Sequence, residues 1–457
     1  MGERDLRVCL INPGINPCEY PTKTTPPFGL LCLAAYLRDA GIECSVVDWG
    51  GIDVSSSDIQ RTLDREQPDV VGLSVVAGPF IHRAIEISEQ ARNHGAKVLW
   101  GGHFPSLFPE LCVRDGHCDF AVRGEGEVTL LDLVRRLETG ESVDDVPGLS
   151  FRHDGAVVST PDRAFIPDID VLPFPAWDLL PDLERYVIDF YGERGFPLVT
   201  SRGCPFRCSF CYITPMWKRR WRPRSALKVV EEIRLIQSLV PKIDAIVFAE
   251  DIFAINRTRV EQFGRALKAE GLDLDWYCDI RADMMKPENL RLMVDAGCKH
   301  VYVGVESGSP RILDMILKDV SRDEIADGFR SARREGLNTT AIFMFGLPGE
   351  TEADVRDTID LARRIRASRY EFVVYVPYPG TPLYEDAVKW GFLAPKTVEG
   401  WGNVGLIEDF ERLHQTNLTL MDAEFIVSSM KKLRRELDLK GFVRERASAL
   451  WSVFGST

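Results

Sequence analysis

With 457 residues, 45 % of them hydrophobic and 27 % charged, the chain is long enough for two or three globular domains and is neither fibrous nor disordered in composition. Its 56 basic and 69 acidic residues leave a formal charge of −13, which repels phosphate backbones and argues against a nucleic-acid partner outside a short basic run, Lys218–Arg222. The charged start Met1–Arg7 lacks the apolar core of a secretory signal, and no apolar run reaches the roughly 20 residues of a membrane span. A cytoplasmic protein without a membrane partner is therefore expected, and its 11 cysteines are read as buried thiols, ligands or catalytic groups rather than disulfides.

In chain order, apolar runs predict strands over Leu6–Asn12, Glu43–Asp48, Val70–Val75, Lys97–Trp100 and Asp119–Arg123. Amphipathic stretches between them, Gly29–Asp39, Ser57–Glu66 and Ile81–His94, predict helices. This alternation indicates an α/β fold with a Rossmann-like, doubly wound parallel sheet over residues 1–140. Its ligand site is expected beyond the carboxyl ends of the strands, where glycine- and proline-rich loops gather. A connector is expected over 141–195, with a hairpin turning on Asp154-Gly155 and a proline-studded linker at Pro167–Pro181.

The alternation resumes over 196–385. Strands are expected at Pro197–Ser201, Ala245–Ala249, Trp276–Arg281, His300–Val305, Thr339–Phe345 and Phe372–Pro377, each leading through a polar loop into a helix. Six such units are too few for a closed eight-stranded barrel and predict a partial (β/α)6 barrel with its chemistry at the C-terminal strand ends. A helical region over 386–457 completes the chain, with a helix at Ala423–Leu437 and a basic amphipathic tail at Arg444–Phe454.

Cys204, Cys208 and Cys211 stand at spacing C-x3-C-x2-C just after the first barrel strand. Thiolates favour zinc or iron–sulfur, yet a structural zinc needs four ligands, and no fourth Cys or His follows within the next 60 residues. Three sulfurs leave one iron of a 4Fe–4S cluster open for another ligand.

This motif at a barrel strand end resembles the radical S-adenosylmethionine (SAM) superfamily. The resemblance implies that the open iron chelates SAM, which is cleaved reductively to a 5′-deoxyadenosyl radical by an electron from a flavodoxin- or ferredoxin-type donor. It also implies SAM contacts at Phe210, at Glu250 or Asp251 in Phe248–Phe253, and at Arg281, expected to grip the SAM carboxylate. Glu306 and Ser307, Gly346 and Pro348 in Phe345–Glu350, and Tyr378 complete that set. Glu250, Asp279 and Asp283 are the candidates for acid–base work.

The N-terminal sheet, Pro26–Leu37, Trp100-Gly-Gly-His103, Arg123–Glu127 and Trp221–Ile233 are similar to the radical SAM enzymes that carry a cobalamin-binding domain. That likeness implies a corrin pocket lined by Ser74, Val75, Gly78, Gly101, Gly102, His103, Gly124 and Glu125. No Asp-x-His-x-x-Gly follows the first strand, so no histidine is expected below the cobalt; Asp115-Gly-His117 lies elsewhere and lacks the glycine. The expected activity is cobalamin-dependent C-methylation of a small natural-product substrate. The alternatives are a cobalamin-free radical dehydration, deoxygenation or epimerisation of a sugar or aminoglycoside precursor and, more remotely, tRNA methylthiolation, whose second cysteine cluster and basic β-barrel have no counterpart here.

Overall fold

The computed structural model describes residues 6–14, 25–190, 192–404 and 423–438. The chain forms two compact units. One runs to Tyr186 and includes Pro395–Val404; the other holds Val187–Ala394 with the helix Ala423–Asp438.

The first unit contains β1 (Val8–Asn12), β2 (Cys44–Asp48), β3 (Val70–Ser74), β4 (Lys97–Gly101), β5 (Phe120–Val122), β6 (Leu149–His153) and β7 (Ala156–Ser159), in the order β2-β1-β3-β4-β5-β6-β7. The first five are parallel, because helices carry the chain back across the sheet each time. Val8–Ile11 and Val70–Leu73 are buried, as strands covered on both faces must be. The strand order reverses between β1 and β3, which places a crevice at their carboxyl ends, beside Ser74 and Val75.

Two parts of the sequence reading change here. The hairpin expected in a connector is β6–β7, and β6 pairs antiparallel with β5, so it extends the sheet. The segment Pro395–Val404, expected in a C-terminal helical region, packs into this unit through the short helix Val398–Gly402. Trp401 is fully buried there, 4.6 Å from the Phe108 ring and 6.4 Å from that of Phe104, and its carbonyl accepts from Gly78 N–H. Pro167–Pro181 carries two 3-10 turns, and Trp177 is buried against Phe28. The tail expected at Arg444–Phe454 lies outside the described residues, as does Cys18.

The second unit contains β8 (Ile188–Phe190), β9 (Glu193–Leu198), β10 (Ser201–Arg202), β11 (Arg222–Pro223), β12 (Ala245–Phe248), β13 (Asp275–Arg281), β14 (Cys298–Glu306), β15 (Asn338–Phe345) and β16 (Arg369–Val374). The main sheet has the order β16-β15-β14-β13-β12-β9-β8, with six parallel strands and β8 antiparallel at the edge. This is the partial six-unit barrel, shifted at its first strand: β9 starts at Glu193, not Pro197. Pro197 is tolerated because β8 pairs with β9 only as far as Gly195, leaving no ladder on that side. Five of the following helices start at side-chain caps, Ser225, Asn256, Ser309, Ser321 and Thr351, which fixes where each begins. Among the described residues no helix is long and apolar enough to cross a membrane.

Trp401→Ala should cost about 3–5 kcal/mol, as for other large buried side chains, and lower the denaturation midpoint of the first unit. An unchanged midpoint would show that the returning helix is not part of that core.

Candidate active site

The residues that carry the three thiols have no regular structure of their own, and several separate contacts hold them. β10 and β11 pair Ser201 with Pro223 and Arg202 with Arg222, closing the intervening loop at its base. Gly203 opens that loop at φ +80°, where a Cβ would lie 2.2 Å from the Arg220 carbonyl oxygen, so only glycine fits. Beyond it, the Arg207 guanidinium takes both carboxylate oxygens of Asp319, at 2.9 and 2.7 Å. Ser209 donates its N–H to the Ile316 carbonyl and its hydroxyl to the Met315 carbonyl, each at 3.0 Å, while its own carbonyl accepts from Leu383 N–H. Segment 315–319 is thus the bed of the cysteine loop, a role that no local signal in the sequence marks.

Cys208 is buried; Cys204 and Cys211 are half-exposed. Burial pushes the Cys204 thiol up to about 11 and that of Cys211 well above the usual thiol range, with Asp251 raising both further. Zinc held tetrahedrally at about 2.3 Å would bring its sulfurs within roughly 4 Å of one another. Among the described residues the one trio of Cys, His, Asp or Glu ligand atoms that all lie within 4.8 Å is Asp115, His117 and Glu399, not the cysteines. The three Sγ atoms thus do not all lie within 4.8 Å of one another. His117 Nε2 stands 2.9 Å from a Glu399 carboxylate oxygen and its ring stacks on Trp100, so this histidine is paired within the first unit.

Arg281, at the end of β13, is placed differently from expectation. Its Nη1 donates to Cys208 Sγ at 2.9 Å, its Nε and Nη2 face Asp283, and Nη2 also donates to the Lys318 carbonyl. The fork expected to grip a carboxylate of SAM already holds the carboxylate of Asp283. Glu250 also departs from expectation. It is 2 % exposed, and its Oε2 accepts from the Thr200 backbone N–H and hydroxyl, tying the end of β9 to the loop after β12. Asp251 is the more open of the pair; burial and the neighbouring Glu250 raise it to about 7.

Glu306 ends β14 at φ +67°, a left-handed conformation that is costly for a side chain of this size, and pairs with buried Lys318 Nζ at 2.9 Å. Gly304 makes room for that pair, since a Cβ there would lie 2.5 Å from Glu306 Oε1. Ser307 is fully buried and bonds Thr358 at 3.1 Å, so it docks the helix Glu352–Ile365 rather than facing open space. Gly346 at φ +80° and Pro348 form a buried turn closed by Glu350, whose Oε2 accepts from Gly346 N–H at 2.8 Å. Tyr378 does reach the cysteine loop: its ring lies 5.3 Å from that of Tyr212, and burial and Cys211 push its hydroxyl up to about 12. Phe210 is half-buried. Asp279 shares the β13 face of Arg281, two residues earlier, and burial, then Glu371, Asp251 and Glu250, raise its carboxyl well above the usual range.

In the first unit, Val75 bridges β3 and β4, accepting from Phe104 N–H and donating to the Gly101 carbonyl. Gly102 (φ +95°) and buried His103 follow, and Gly124 donates to Ser106 Oγ at 3.0 Å. These residues share the carboxyl-end rim with Ser74. Two expected pocket residues are engaged elsewhere: Gly78 with the Trp401 carbonyl, and Glu125, whose Oε2 accepts from Ile166 N–H at 2.8 Å.

Residues 198–362 match the model of the radical SAM superfamily, and residues 20–134 match that of the B12 binding domain. An uncharacterized methyltransferase of Pyrococcus horikoshii is 34 % identical over 371 residues, covering 80 % of this chain and 79 % of its own length. The chain belongs to the radical SAM superfamily, in the branch that carries a B12 binding domain. It is an enzyme, and its family's cofactors are a 4Fe–4S cluster, SAM and cobalamin. The anaerobic magnesium-protoporphyrin IX monomethyl ester cyclase of Rubrivivax gelatinosus is 29 % identical, covering 81 % of this chain and 69 % of the cyclase. The radical SAM methyltransferase TsrM of Kitasatospora setae, solved with its tryptophan substrate and a SAM analogue, superposes with a TM-score of 0.71 at 23 % identity, over 85 % of this chain and 77 % of TsrM. That superposition shows the shared fold.

Burial holds the Glu350 carboxyl up at about 8, against an ordinary 4.5. The folded state therefore keeps a proton that the unfolded chain releases, so this group's contribution to stability is present below about pH 4.5 and is lost as pH rises towards 8. Glu350→Gln should match the parent near pH 4.5 and become progressively more stable than it up to pH 8 in denaturant titrations; parallel stability curves would refute this placement of the proton.

Proposed function

We propose that this enzyme is a cobalamin-dependent radical SAM methyltransferase that alkylates a carbon of a small natural-product precursor in the cytoplasm, with Cys204, Cys208 and Cys211 as its cluster ligands. The observation that carries this reading is the three-thiol loop pinned at the end of β9, with no further Cys or His in the next 60 residues, one ligand short of a closed cluster. The methyltransferase name of the Pyrococcus relative supports the methyl-transfer outcome. The donor set fits the cluster: three sulfurs on one loop, and a cation beside one of them. The rim of the first unit leaves room for a broad flat ring, since Gly101 and Gly124 have open space where a Cβ would stand.

Bound together, the cluster, SAM and cobalamin supply an electron, a carbon-centred radical and a methyl group. The chain's own residues then orient and protect. Asp251, the more open of the two acids after β12, is the carboxylate assigned here to the SAM amino group, in preference to the enclosed Glu250. Tyr378 packs against the loop through Tyr212. Ser74, Gly101 and Gly102 form the floor offered to the corrin, over the fully buried Val75. Asp279, its carboxyl pushed above the usual range by burial and then by Glu371, Asp251 and Glu250, is the candidate for acid–base work on this face of β13. A flavodoxin- or ferredoxin-type protein is the reductant. The cyclase relative favours a second outcome, radical chemistry without methyl transfer, on the same machinery.

Anaerobic reconstitution with iron, sulfide and hydroxocobalamin, followed by desalting, should leave both an iron–sulfur band and a corrin spectrum on the chain. Cys208→Ala should keep the corrin and lose the iron–sulfur band and SAM cleavage. A wild-type chain that retains no corrin would rule out methylation from cobalamin, and a Cys208→Ala variant that still cleaves SAM would rule out the ligand assignment.

A further inference from the structure

Arg281 stands where the family resemblance calls for a SAM-carboxylate partner, yet four of its five N–H donors are engaged within the protein. A guanidinium has five N–H groups arranged in a planar fork. Here Nε faces Asp283 Oδ1 at 2.9 Å, Nη2 faces Asp283 Oδ2 at 3.4 Å and also donates to the Lys318 carbonyl, and Nη1 donates to Cys208 Sγ at 2.9 Å. The Phe206 ring lies under the guanidinium at 4.0 Å, and the side chain is only 8 % exposed. Both edges of the fork are occupied, one by Asp283 and the other by the Lys318 carbonyl and the Cys208 sulfur. No bidentate edge is left for a ligand carboxylate.

We infer that Arg281 is a positioning residue for the cluster: its N–H bond to the Cys208 sulfur raises the cluster's reduction potential and makes Cys208 electronically distinct from Cys204 and Cys211. This rests on the proposed ligand role of the three cysteines. The physics is that of any cluster with a donor aimed at a ligand sulfur. Reduction adds one negative charge, and a buried cation with an N–H on the sulfur stabilises the reduced form more than the oxidised one. Arginine stays protonated at any working pH, so the effect does not switch off. Asp283 fixes the guanidinium plane, and Lys318 fixes its far edge; Lys318 is in turn held by Glu306 through the 2.9 Å ion pair.

The test uses the reconstituted full-length enzyme, its iron content, an EPR-monitored redox titration without SAM, and SAM affinity measured separately. Arg281→Met should keep its iron, shift the midpoint to a more negative potential, and hold SAM within about threefold of the parent, well under the tenfold that one lost ionic contact of 1.4 kcal/mol would cause. Arg281→Lys should recover part of the shift, since lysine keeps the charge but not the planar fork. An unchanged midpoint together with SAM binding weakened tenfold or more would overturn the inference and return Arg281 to the SAM carboxylate. If Arg281→Met does not hold its cluster, Arg281→Gln decides. It removes the charge but keeps an N–H donor, and should move the midpoint in the same direction by less; no movement overturns the inference. A parent enzyme without a cluster would instead fail the ligand assignment itself.

Discussion

The site depends on pinning an irregular loop. A strand or helix positions side chains through its own hydrogen bonds, whereas the loop that carries Cys204, Cys208 and Cys211 must borrow its rigidity. It does so from β10–β11 at its base, from the Met315–Asp319 segment beneath it and from Leu383. Arg281 joins these supports, because one guanidinium touches the Cys208 sulfur, Asp283 and the Lys318 carbonyl. The left-handed Glu306 and the side-chain-free Gly304 are consequences: both exist to let Lys318 sit buried with a counter-charge at that point. A strained backbone at a strand end is thereby tied to the rigidity of a loop about a hundred residues earlier.

The first unit follows a different logic. Its sheet places the ligand rim by topology alone, through the reversal of strand order between β1 and β3. What the rim then presents is set by residues that do not protrude, the glycines, together with those that bond elsewhere. Glu125 ties down the linker at Ile166, and Trp401 packs on Phe104 and Phe108 and takes the Gly78 N–H. The residues left at the rim, Ser74, Gly101 and Gly102, carry no charge and stand over the fully buried Val75.

Much of this was legible in the sequence because it is periodic or local. Apolar runs separated by amphipathic stretches identify all eleven parallel strands, and the Asp154-Gly155 turn marks the β6–β7 hairpin. Three cysteines after a strand announce the site. The losses have physical causes. The hairpin's pairing with β5 and the return of Trp401 are long-range packing, which no window detects. Met315–Asp319 has no motif, because its task is done by backbone carbonyls, and any sequence has those. The adjacent acids Glu250 and Asp251 look alike on paper, and only Thr200 in three dimensions decides which of them is enclosed. Arg281 and Asp283 were both visible two positions apart, but that one would occupy the fork of the other depends on the turn after β13.

The central claim is that three cysteines on one loop hold a 4Fe–4S cluster with one iron left for SAM. Mössbauer spectroscopy of the reconstituted enzyme, recorded with and without SAM, tests it most directly. The account predicts about four irons per chain and a spectrum in which one iron of the four changes when SAM is added while the other three do not. A spectrum indifferent to SAM, or a chain that takes up zinc in place of the cluster, would contradict it.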